Sequence, residues 1–66
     1  MPEPTYAQTV TRLAREYHQL VNNGEAPPVA YFSLTERLHI AATNVGIDRV
    51  TSVRDLKDEI NAEPVA

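Results

Sequence analysis

The side chains in this chain that could do chemistry are few and scattered: Ser33 and Ser52, His18 and His39, and the carboxylates Asp55, Asp58 and Glu59. A nucleophile needs an adjacent base and a third group that orients it. Neither serine has such company in sequence, and each is better placed to cap a helix. The histidines are joined by no HxxxH or HExxH spacing. Cysteine is absent, which removes disulfides and thiolate zinc sites together. Gly24 and Gly46 stand alone, so no glycine-rich loop is available to cradle a phosphate. Asp55, Asp58 and Glu59 fall within one helical turn, but calcium takes roughly six to eight oxygen ligands, usually with loop carbonyls among them. Arg54 and Lys57 already neutralise part of that charge. The expectation is a non-enzyme with no catalytic residue, no metal, no cofactor and no small-molecule substrate.

What remains is recognition, and recognition depends on the elements that carry the side chains. Three capping-box spacings stand before three apolar stripes, which predicts an all-α, compact three-helix domain. Thr5 with Gln8 opens the first helix, 5–23, where Tyr6, Val10, Leu13, Tyr17 and Leu20 recur at intervals of four, three, four and three. Ala7 and Ala14 border that stripe and would let a neighbour approach closely. Ser33 with Glu36 opens the second helix, 33–46, with Leu34, Leu38, Ala41 and Val45 on one face and Gly46 as its stop. Ser52 with Asp55 opens the third, 51–62, whose narrow apolar face is Val53, Leu56 and Ile60. Between the first two helices, Glu25–Pro28 reads as a linker kept extended by its prolines. Val29–Phe32 then reads as an apolar segment folded over the core, Phe32 serving as the hydrophobic staple before the Ser33 cap. Residues 1–4 and 63–66 read as frayed tails of a single small domain.

Size bears on function as well. A chain of 66 residues is close to the lower limit for one unaided core, and burial of only about 60% of its unfolded surface is expected. With no disulfide and no metal, self-association or a protein partner is the support that remains. Ile40 points the same way, because it projects roughly 120° from the Leu38/Ala41 stripe, among Glu36, Arg37 and Asn44. The primary expectation is therefore a protein–protein interaction or regulatory module, a homodimer or a domain docked on a larger protein. Its candidate interface is Ile40, Arg37, Asn44, Tyr31 and Phe32.

A second reading comes from the junction of helices two and three. Ala42, Gly46, Ile47, Val53 and Leu56 resemble the pattern of helix-turn-helix DNA-binding domains: a small residue, glycine four positions on, an apolar residue, a turn, and a second helix with paired apolar positions. The apolar pair here lies one residue later than in that pattern. The resemblance implies a dimeric transcription regulator with Thr51, Ser52, Arg54 and Lys57 toward the groove and Arg12 and Arg15 on the backbone. Charge opposes it. The net charge is −3, and residues 51–66 set Asp55, Asp58, Glu59 and Glu63 against only Arg54 and Lys57, where a phosphate-lined groove needs net positive charge. The same balance disfavours an anionic membrane surface, and no apolar run approaches the roughly 20 residues that span a bilayer. The start MPEPTYAQ has no basic stretch leading into an apolar one, so the chain is expected to be cytoplasmic.

Overall fold

Thr5 starts the first helix in the way its spacing predicts. In the computed structural model, which describes residues 5–62, the Thr5 Oγ1 accepts the Gln8 amide at 3.1 Å and the Gln8 side chain accepts the Thr5 amide at 2.9 Å. The tails expected at 1–4 and 63–66 lie outside the described residues. Helix α1 runs Tyr6–Asn22. It ends because Gly24 takes φ +99°, a conformation costly for any side chain with a Cβ. The Gly24 amide then donates to the Val21 carbonyl and the Glu25 amide to the Leu20 carbonyl, the paired bonds of a Schellman motif.

Helix α2 runs Pro27–Asn44, six residues longer at its start than its serine cap suggested. The first turn of a helix leaves its amides without internal partners, so Pro27 and Pro28 lose nothing there and arrive with φ already set. Ala26 supplies the cap backbone, and its carbonyl accepts the amides of Val29 and Ala30. The extended linker and the folded-over segment at Val29–Phe32 are thus corrected: these residues are the first turns of α2. Ser33 is exposed in mid-helix, and the Glu36 carboxylate reaches Arg49 rather than the Ser33 amide. The buried stripe accordingly becomes Ala30, Leu34, Leu38 and Ala42, repeating every four residues. Val45, assigned to the buried face, is 59% exposed.

Gly46, at φ +79°, closes α2 with the same motif, its amide donating to Thr43 and that of Ile47 to Ala42. Helix α3 runs Arg49–Ala62. Its cap is Asp48, whose Oδ1 accepts the Thr51 amide at 2.9 Å. Ser52 is therefore not a cap. It lies inside α3, fully buried, and its hydroxyl donates to the Arg49 carbonyl at 3.0 Å.

Each helix packs against the other two. Val10, Leu13, Ala14, Leu34, Leu38 and Leu56 make the core, with Tyr6, Tyr17, Leu20, Tyr31 and Ile60 half-buried around it. Two polar ties hold α1 to α3: the Tyr6 hydroxyl donates to Asp55 Oδ2 at 2.7 Å, and His18 Nε2 meets the Ile60 carbonyl at 3.1 Å. Among the described residues there is no strand, and no helix is long and apolar enough to cross a membrane.

Candidate functional site

Because Leu34 and Leu38 point inward, the 3.6-residue period turns Val29, Phe32, Glu36 and Ile40 outward on α2. Val29 is 58% exposed, Phe32 67% and Ile40 68%. An isolated exposed apolar residue is ordinary, whereas three along one helix face form a patch. Two ion pairs frame it. Arg49 Nη1 meets Glu36 Oε1 at 2.6 Å on the α3 side, and Arg37 Nη1 meets Glu16 Oε1 at 2.9 Å on the α1 side. Both pairs are half-exposed and contribute little to stability. The Arg49 hydrogen bond holds the Glu36 carboxyl below its ordinary range.

Beside the patch, α1 and α2 leave an open groove. From α1 it is lined by Thr9, Arg12 and Leu13, and from α2 by Arg37, Ile40, Ala41 and Asn44. The small side chains of Thr9 and Ala41 give it depth, Leu13 gives it an apolar floor, and Ile40 stands on its rim. Ile40, Arg37 and Asn44, grouped on the sequence, are brought together here. Phe32 lies further along the outer face of α2. Tyr31 does not join them: it turns inward against the core, with its hydroxyl donating to the Val53 carbonyl at 3.4 Å, and burial raises its pKa above the usual tyrosine value.

The residues assigned to a DNA surface are divided between α1 and α3. Ser52 is fully buried. Arg12 lines the α1–α2 groove, while Arg54 and Lys57 are exposed on α3 with Thr51. Arg15 is exposed on α1. The turn at the helix-turn-helix-like junction is Val45–Asp48, with Ala42 fully buried beneath it. Starting at Arg49, α3 carries Arg49, Arg54 and Lys57 against Asp55, Asp58 and Glu59, so the helix itself is balanced rather than acidic.

Sequence reasoning missed Val29, Val50 at 68% exposure, and the place of Arg12 beside Ile40. Pro27–Pro28 before an apolar run was the available signal for Val29, since proline belongs to first turns as well as to linkers. Nothing local could place Arg12, because its neighbours come from another helix. A second, smaller recess lies among Tyr17, Tyr31, Lys57, Ile60 and Asn61. Among the described residues no group of three or more His, Asp or Glu side chains could hold a metal ion. Comparison with family models, with curated proteins and with solved structures finds no match to this chain.

Proposed function

We propose that this chain is a non-catalytic helical interaction module that acts through the outer face of α2, by self-association or by docking on a larger protein. One observation carries the reading: Val29, Phe32 and Ile40 are exposed on a single helix face while the three helices already close a core among themselves. A small domain of this kind gains stability by covering such a patch. The non-catalytic part draws support from the serines, since Ser33 is exposed in mid-helix and the Ser52 hydroxyl is bonded within its own helix.

Sedimentation velocity over a wide concentration range, with circular dichroism alongside, tests the self-associating form. Association of the wild type that disappears in Ile40→Glu at unchanged helicity is the expected result. Association that survives the substitution moves the interface away from α2. Comigration with random-sequence duplex DNA, lost on adding salt, would replace this reading with a nucleic-acid one.

A further inference from the structure

We infer that the α1–α2 groove takes a short, acidic, amphipathic segment of another protein, with carboxylates on Arg12 and Arg37 and an apolar side chain between Leu13 and Ile40. The inference rests on the reading above and adds the chemistry of the partner. Its basis is charge placement. The chain is net acidic at −3, yet the groove is lined by two arginines and by no carboxylate. Arg37 is held at one end by Glu16, and among the described residues no carboxylate pairs with Arg12. A guanidinium beside an apolar floor is suited to a forked contact with a carboxylate on a partner that also brings an apolar anchor.

Size and spacing agree. On α2 the lining runs from Arg37 through Ile40 and Ala41 to Asn44, the i, i+3, i+4, i+7 spacing of a helix-in-groove contact. That span is roughly 10 Å long, enough for about two helical turns of a partner.

Among the described residues a second copy of this chain offers a poorer match. The carboxylates of α3 share their helix with Leu56, which is already buried in the chain's own core. On the outer face of α2 the one carboxylate, Glu36, is held by Arg49. A different protein is the better-matched occupant.

Selection from a displayed library of random peptides of about 12 residues, long enough for some three helical turns, tests this on the intact domain. The library is run in parallel against wild type, Arg12→Glu and Ile40→Glu. Peptides enriched on wild type should pair Asp or Glu with one or two large apolar residues and be lost on both variants. A synthetic peptide from that pool should bind about fivefold more weakly to Arg12→Ala, as expected for one exposed charge contact, and its affinity should fall as salt rises. Peptides without acidic enrichment that are lost only on Ile40→Glu would overturn the acidic partner and leave the interaction surface standing. Peptides indifferent to Ile40→Glu, or no enrichment at all, would overturn the inference. Self-association that protects Thr9, Leu13 and Ala41 amides at high concentration would also overturn it, by putting a second copy in the groove.

Discussion

Tyr6 is the residue whose chemistry the fold changes most. Partial burial, then the hydrogen bond to Asp55 and the negative charge of that carboxylate, push its pKa well above the ordinary value of 10.0. Burial pushes Tyr31 the same way. The sign follows from linkage: in the folded chain these phenols stay protonated at a pH where the unfolded chain has lost the proton. Their contribution to stability is fully present below the unfolded tyrosine value of 10.0 and is lost as pH rises above it. Thermal melts should therefore show a midpoint that falls above pH ~10, more steeply than in Tyr6→Phe. An identical alkaline slope in the two proteins would remove Tyr6 as its source. Asp48 works in the opposite direction, because the Thr51 hydroxyl, and then its amide, hold the carboxyl below the ordinary range; its contribution is lost on acidification.

At the scale of the element, the α2 boundary separates two local signals that compete in the sequence. Ser33–Glu36 has the spacing of a cap, and Pro27–Pro28 has the chemistry of a first turn. The prolines prevail because starting at Pro27 buries Ala30 and adds a turn of helix that packs on its neighbours, whereas a start at Ser33 would forfeit both. Two substitutions separate the alternatives. Ser33→Ala should stabilise the fold by up to about 0.5 kcal/mol, as expected in an exposed helix interior. Asp48→Ala should lower the melting midpoint by stripping the α3 amides of their acceptor. Both are read by thermal melts followed by circular dichroism, and a destabilised Ser33→Ala would restore the serine to the role of cap. The glycines at 24 and 46 were legible for the opposite reason, since no nearby signal competes with a residue that tolerates positive φ.

The whole molecule rests on a small core, and its margin is correspondingly thin. Leu38 is fully buried in the cluster that joins all three helices. Leu38→Ala should cost about 2–5 kcal/mol, comparable to the roughly 3–5 kcal/mol that a core of this size supplies in total. The variant is expected to be largely unfolded at room temperature in a urea titration, whereas Ile40→Glu should keep its midpoint at concentrations where the wild type is monomeric. A well-folded Leu38→Ala would mean that the core is larger than these three helices.

By itself the sequence determined that there are three helices, most of the buried face of α1 and where α1 and α2 stop, because periodicity and positive-φ glycine are written within a few neighbouring residues. Of the three expected caps only that at Thr5 forms. It also marked Ile40 as pointing away from its own stripe, since direction on a helix follows from the period alone. Only the tertiary structure decided that Ser52 is buried, that Tyr31 turns inward, and that Arg12 stands across a groove from Ile40. Those outcomes depend on which helix lies beside which. That choice is made by packing side chains distant in sequence, and no local signal carries it.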